Sequence, residues 1–251
     1  RQSQTIMATT ERPLVGIVGG SGLQNSSLLE ETTREVVHTD HGDVVVFKGE
    51  GFVFLERHHS DPNKEYAQPH RVPYVAHAAA FKQLGVTVCY LITSTGSLQP
   101  SIEPGTCVVV DDFFLFNAHP ISRYTDHRSH LVPTIDEGLR ANIFKCAKEL
   151  DMHAVDGTYV SAPGPRFETK AEIRFLATVG HVVGMTAAHE VPLFCEEPAV
   201  PVAVVSMTDN WANGIGSEAL TPDEYKEGVK RNHARVLALV RALIALHVGS
   251  A

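Results

Sequence analysis

The sequence predicts an α/β protein with a mixed, largely parallel central β-sheet flanked by helices. Three observations predict it. Short apolar, β-branched runs alternate with stretches at helical spacing, the pattern of a sheet covered by helices. No internal repeat, low-complexity tract or Pro/Ser-rich linker interrupts the 251 residues, so one domain over residues 13–251 is expected behind a polar tail, residues 1–12. The apolar runs also empty into small or polar residues at Gly19–Gly22, Arg57–His58, Thr93–Ser97, Met185–Thr186 and Thr208–Asp209. Strand ends of that kind build the binding crevice of an α/β sheet.

In chain order, Val15, Ile17 and Val18 read as a buried strand running into Gly19, Gly20, Ser21 and Gly22. Val44–Phe47 and Phe52–Leu55, separated by Gly49-Glu50-Gly51, read as a hairpin. A helix is expected over Tyr74–Leu84, closed by Gly85. Strands follow at Val86–Thr93 and Gly105–Val110, then an irregular, His- and aromatic-rich segment from Phe113 to Pro133. Leu139, Ile143, Ala147 and Leu150 place a helix over Asp136–Leu150, and Gly157–Ser161 another strand. Helical signals return at Thr169–Val179, with strands at Val182–Met185 and Val202–Met207. Thr221-Pro222-Asp223-Glu224 supplies a cap, a first-turn proline and an acid at the third position, a helix start that runs to about His247.

Composition narrows the function. A formal net charge of −8 argues against a general nucleic-acid or membrane-surface binder. Any anion site must be made locally, by backbone N–H groups and a few placed side chains. No apolar run approaches the roughly 20 residues of a membrane span, and no signal-peptide pattern opens the chain. Cys89, Cys107, Cys146 and Cys195 are scattered without a C-x-x-C pair and read as reduced thiols of a cytoplasmic protein. His58-His59 has no carboxylate or cysteine at ligand spacing, so no metal site is expected.

The strand ends suggest a chemistry. Three glycines around Ser21 let backbone N–H groups approach an anion, although the spacing is neither the dinucleotide fingerprint nor a nucleotide-triphosphate loop. Arg57 supplies a planar, permanently charged fork suited to phosphate oxygens, while Ser21, Ser94 and Thr186 add neutral donors. No nucleophile–base pair is evident. The set fits bound inorganic phosphate acting as the nucleophile. A hydrolase would instead need a carboxylate to activate water, for which Glu190 is available; a dinucleotide oxidoreductase would need the missing fingerprint. Arg166 reads as a structural arginine paired with a carboxylate.

Gly19-Gly20-Ser21-Gly22-Leu23, Arg57-His58, Thr93-Ser94-Thr95-Gly96-Ser97-Leu98, Gly164-Pro165-Arg166-Phe167, Gly184-Met185-Thr186 and Thr208-Asp209 occur in the order seen in methylthioadenosine phosphorylases and trimeric purine nucleoside phosphorylases, which the chain resembles from about residue 14 to residue 240. The resemblance implies the single-domain nucleoside phosphorylase fold, a homotrimer, and cofactor-free phosphorolysis of a purine nucleoside, foremost 5′-methylthioadenosine, in purine and methionine salvage. It places phosphate on Ser21, Arg57, His58, Thr93, Ser94 and Thr186. It places the nucleoside on Thr95, Gly96, Phe167, Met185, Asp209, Trp211 and Tyr225, with His130 reaching a neighbouring subunit's site. Asp209 and His58 are the catalytic candidates, Asp209 as the donor to purine N7. Two departures stand out: Trp211 replaces a second aspartate, as substrate gate or packing residue, and Tyr225 replaces a small aliphatic, offering a hydroxyl or a ring to the 5′ substituent.

Overall fold

The computed structural model describes residues 13–217 and 220–249; the expected tail, residues 1–12, lies outside them. Its strands are β1 (Val15–Gly19), β2 (Thr33–Thr39), β3 (Gly42–Gly49), β4 (Phe52–Glu56), β5 (Val88–Ser97), β6 (Cys107–Leu115), β7 (Ala154–Ser161), β8 (Val182–Gly184) and β9 (Val202–Trp211). The helices are α1 (Tyr74–Gln83), α2 (Glu137–Glu149), α3 (Lys170–Leu176), α4 (Ala187–Cys195) and α5 (Pro222–Val248).

The strands form one mixed sheet in the order β2-β3-β4-β1-β5-β8-β7-β6-β9, and a further β5–β9 pairing closes its second half into a ring. β1 lies parallel between β4 and β5, and β5 runs parallel to β9. β2–β3, β3–β4, β5–β8 and β6–β9 are antiparallel.

Alternation along the central strands divides the core between the two faces. Val18, Leu55, Leu91 and Val204 face α1 and α4, where Ala80, Phe81, Val191 and Phe194 pack. Ile17, Phe54, Tyr90, Ile92 and Val205 face α2 and α5, where Leu139, Ile143, Leu239 and Leu243 pack. The α5 start is made as expected, Thr221 Oγ1 accepting from Glu224 N–H at 3.1 Å; at α3, Thr169 and Glu172 form a reciprocal capping box that the sequence reading did not single out. Asp136 Oδ1 accepts from Leu139 N–H at 2.8 Å. Gly85, at φ +77°, terminates α1 in a conformation that penalises side chains.

Several elements depart from expectation. β5 and β9 continue as strands through Thr93–Ser97 and Thr208–Trp211, residues expected just past strand ends. β6 runs to Leu115, so the irregular segment begins later than Phe113. The helix expected over Thr169–Val179 stops at Leu176. β2 was not anticipated because it is a largely exposed edge strand with polar patterning. α4 was not anticipated because Pro192 breaks its helical signal and Thr186 makes no side-chain cap.

Two positions give tests of the packing. An ideal Cβ on Gly228 would stand 2.0 Å from the Asp209 carbonyl oxygen, so glycine is what allows α5 to lie against β9. Alanine raises helix propensity by about 1 kcal/mol, whereas forcing a methyl into that contact costs about 1–3 kcal/mol. Gly228→Ala is therefore expected to lower the denaturant midpoint in urea unfolding. His77 is fully buried; its Nε2 meets Ser60 Oγ at 2.5 Å and its Nδ1 has no partner. Burial and the nearby Arg57 cation lower its pKa from 6.5 to about 3. The unfolded chain takes this proton first, so the histidine's contribution is intact above pH 6.5 and is lost as pH falls toward about 3. His77→Asn should flatten the fall of melting temperature with pH across that window.

Candidate active site

A cavity of about 320 Å3 opens at the carboxyl ends of β1, β4, β5, β8 and β9. The turn after β1 forms its first wall. Gly20 N–H donates to Ile92 O at 3.1 Å and Arg57 N–H to Gly19 O at 2.9 Å, tying the turn to β5 and β4. A Cβ on Gly20 would lie 2.8 Å from Arg57 Nη1, so the missing side chain lets the guanidinium lie against the turn. Ser21 lines the cavity beside it.

Arg57 is 1% exposed yet contributes to the lining. Its Nε and Nη2 donate to the two Glu190 carboxylate oxygens at 2.7 and 2.9 Å, and its Nη1 to Ile92 O at 2.9 Å. Burial, the largest single influence, lowers the guanidinium pKa, but the charge and hydrogen bonds of Glu190 together with smaller contributions from Tyr74 and Tyr159 outweigh it and hold the pKa above its ordinary value. His58 follows on the same wall. Its Nδ1–H donates to Ala67 O at 2.8 Å, which leaves Nε2 as the free acceptor. Burial and the Arg57 cation lower its pKa to about 4, so the ring is neutral at pH 7. Ser94, Thr95 and Gly96 of β5, and Val183, Gly184, Met185 and Thr186 around the end of β8, complete this side.

Phe167 and Tyr225 form an aromatic wall, their rings 5.8 Å apart and edge-on at 61°. Two polar residues that the sequence reading did not select also line the cavity, Glu168 beside Phe167 and Asn210 on β9. Glu168 is 7% exposed and burial raises its carboxyl pKa. The neighbouring Arg166 forms a two-pronged ion pair with Glu172, at 2.8 and 2.9 Å, the structural pairing expected of that arginine. Asn210 Nδ2 donates to Trp211 O at 2.7 Å, leaving its second N–H and its oxygen.

Of the residues selected from sequence, Ser21, Arg57, His58, Ser94, Thr95, Gly96, Phe167, Met185, Thr186 and Tyr225 line the cavity. Four do not. Thr93 is buried and turns its hydroxyl to Val205 O at 3.3 Å. Asp209 is 2% exposed; Asn232 donates to its Oδ1 at 2.7 Å and the Ser94 hydroxyl to its Oδ2. The placement is a correction to the expected direct contact with base, and its cause is a β-bulge. Thr95 pairs Thr208 but Gly96 pairs Asn210, so Asp209 is the extra residue and Asn210 faces the cavity instead. Burial raises the Asp209 pKa, opposed by its hydrogen bonds from Ser94 and Asn232. Trp211 packs over Gly216, away from the lining, and His130 is exposed on the long segment before α2. Thr95 lines the cavity with its backbone side, since its hydroxyl meets Ser206 Oγ at 2.8 Å and Met207 O at 3.0 Å. Glu190 has both oxygens committed to Arg57 and is 2% exposed, which removes it as a base for activating water. A buried glutamate after Gly-Pro-Arg-Phe was the available signal for Glu168; nothing local in sequence marked the bulge.

Comparisons with known proteins place the chain in a family. A probable 6-oxopurine nucleoside phosphorylase of Dictyoglomus turgidum is 34% identical over 252 residues, spanning 92% of this chain and 90% of the relative. A probable S-methyl-5′-thioinosine phosphorylase of Methanocaldococcus jannaschii is 34% identical, spanning 92% of each. An S-methyl-5′-thioadenosine phosphorylase of Nitrosopumilus maritimus is 33% identical, spanning 87% of this chain and 86% of the relative. In fold, the chain is similar to the methylthioadenosine phosphorylase of Schistosoma mansoni solved with adenine, with a TM-score of 0.81, 23% identity and coverage of 94% and 91%. The sequence model of the Phosphorylase superfamily matches residues 14–245, and the chain belongs to that family.

Proposed function

We propose that the chain cleaves a purine nucleoside with inorganic phosphate, yielding the free base and a ribose 1-phosphate. The observation that carries this reading is the single cavity that joins Ser21, Arg57, His58, Ser94 and Thr186 to the Phe167–Tyr225 wall. Phosphate rests among the guanidinium, the neutral His58 ring and the hydroxyls; ribose lies along Met185; the base lies against Phe167. Breaking the C1′–N9 bond leaves positive charge on the ribose and negative charge on the purine. The bound phosphate stabilises the first and then bonds to C1′, and a polar group at the base end meets the second. Asp209, held from behind by Asn232, acts through Ser94 in this scheme, its raised pKa favouring a shared proton. The substrate phosphate supplies the nucleophile, so no organic cofactor or metal is required. A homotrimer, in which His130 reaches a neighbouring site, and a cytoplasmic location complete the proposal; no described helix is long and apolar enough to cross a membrane.

For the nucleoside, the motif resemblance and the relatives named for methylthioadenosine support 5′-methylthioadenosine, whose thioether suits the apolar lining by Pro69 and Leu220. Glu168 and Asn210 favour a second reading, a 6-oxopurine base. Such a base presents an N1–H donor and O6 and N7 acceptors, which match a carboxylate and an amide N–H. Adenine presents an N1 lone pair, which an ionised Glu168 would repel. Relatives named for 6-oxopurines support this reading.

Base release from 5′-methylthioadenosine, adenosine, 5′-methylthioinosine and inosine, each with and without phosphate, tests both levels. Release is expected only with phosphate; release without it would overturn phosphorolysis. Faster cleavage of the two adenine nucleosides supports the first reading, and faster cleavage of the two hypoxanthine nucleosides the second. Under the second reading, Glu168→Gln should lower kcat/KM for inosine by about 10- to 100-fold, the worth of one hydrogen bond to a charged group, while the phosphate KM stays within about twofold.

A further inference from the structure

Glu190 does not line the cavity and, at 2% exposure, cannot touch a substrate. It nevertheless sets what the cavity presents. α4 begins immediately after Thr186, which lines the cavity, and Glu190 lies four residues on, on the same face of the helix. One helix therefore delivers a hydroxyl to the cavity and a carboxylate to the back of Arg57. The carboxylate takes Nε–H and one Nη2–H of the guanidinium, and Ile92 O takes one Nη1–H. Of the five N–H groups of an arginine fork, two are left, one on each terminal nitrogen, and Nη1 sits against the Gly20 turn.

We propose that Glu190 is a positioning residue for phosphate: it fixes the plane and rotation of the Arg57 guanidinium so that its two remaining N–H groups point at the phosphate oxygens. This rests on the proposal that phosphate binds at Arg57. The charges agree with a positional role. Glu190 cancels the arginine charge and His58 is neutral at pH 7, so Arg57 offers phosphate oriented donors more than net charge. The fit of donor to oxygen therefore matters more than Coulomb attraction. A buried ion pair is seldom a net source of stability compared with apolar packing, so the geometry it imposes is its distinguishing effect. An amide in place of the carboxylate turns an NH2 group against a guanidinium N–H and breaks one prong. Aspartate keeps the charge but withdraws it by a methylene.

The experiment measures phosphate and nucleoside KM for the full chain, for Glu190→Gln, for Glu190→Asp, for Arg57→Ala, and for Glu190→Gln combined with Arg57→Ala. Both single variants are expected to raise phosphate KM by about 10- to 100-fold, the scale of a misplacement near 1 Å, with nucleoside KM changed less than about threefold. In the Arg57→Ala background the glutamine should add nothing to phosphate KM, because the residue it positions is gone. The aspartate variant separates position from charge: a phosphate KM that matches the parent in a cooperatively melting Glu190→Asp protein overturns the proposal. So does an equal effect of glutamine with and without Arg57. Should Glu190→Gln fail to melt cooperatively, Glu190→Asp carries the test alone. Release of base from the parent enzyme without phosphate would overturn the parent reading, a result visible before any variant is made.

Discussion

A β-strand has two edges, and β5 shares them among three partners. β9 takes one edge along most of its length, from Cys89 to Ser97. The other edge is divided: β1 pairs with Val88–Ile92, and β8 pairs with Gly96 and Ser97. Between those pairings, Thr93, Ser94 and Thr95 face neither strand on that edge. The cavity lies at this gap. Because β1 must leave the sheet where the pairing ends, its glycine turn is forced to open there, and Gly20 N–H and Arg57 Nη1 both converge on Ile92 O, the last carbonyl before the gap. The site thus opens where one strand is shared; β1, β8 and β9 come from pairings with β5, while Arg57 and His58 follow β4 beside β1 and Tyr225 comes from α5.

Charge around the gap is arranged so that little of it is uncompensated in the absence of ligand. Arg57 and Glu190 neutralise each other at 1% and 2% exposure. His58 is held neutral by burial and by the arginine beside it. Asp209 and Glu168 are pushed toward their protonated forms by burial, and Asp209 is shared between Ser94 and Asn232. Buried groups of this kind are costly unless paired. Among the described residues, Arg57, Glu190 and Asp209 each have a side-chain partner, whereas Glu168 has none and lines the cavity while the neighbouring Arg166 is committed to Glu172. That asymmetry makes the base end of the cavity the place where an incoming donor gains most.

Much of this was readable in the sequence because the signals were local. An apolar run followed by Gly-Gly-Ser-Gly, by Arg-His or by Ser-Thr-Gly marks a strand about to enter a crevice, and those residues line one. The capping residue Thr221 likewise announced its helix. What escaped was set by partners distant in sequence. β2 is a strand through pairing with β3, not through its own apolar pattern. α4 folds despite Pro192 because its apolar residues Val191, Leu193 and Phe194 bury against α1 and the sheet, and that packing outweighs propensity. Glu190 looked like a free carboxylate in sequence; its partner is 133 residues away.

The choice between Asp209 and Asn210 is the sharpest case. In an unbroken strand, adjacent residues point to opposite faces, so a shift of one position exchanges which side chain enters the cavity. The shift here lies between Thr95 and Gly96 of β5, across from the two candidates. Gly96 suits it sterically: a Cβ there would come within 3.2 Å of Asn210 Nδ2 and of Ala212 Cα, a tight approach that the bare backbone avoids. Asp209, displaced from the cavity, is captured by Asn232 from α5, and the close approach of Gly228 to its carbonyl secures the helix that brings Asn232 there. Which side chain reaches the cavity is therefore set in part by two glycines, of which Gly96 itself lines the cavity and Gly228 does not. One of them opens the cavity to Asn210, and the other keeps Asp209 behind it.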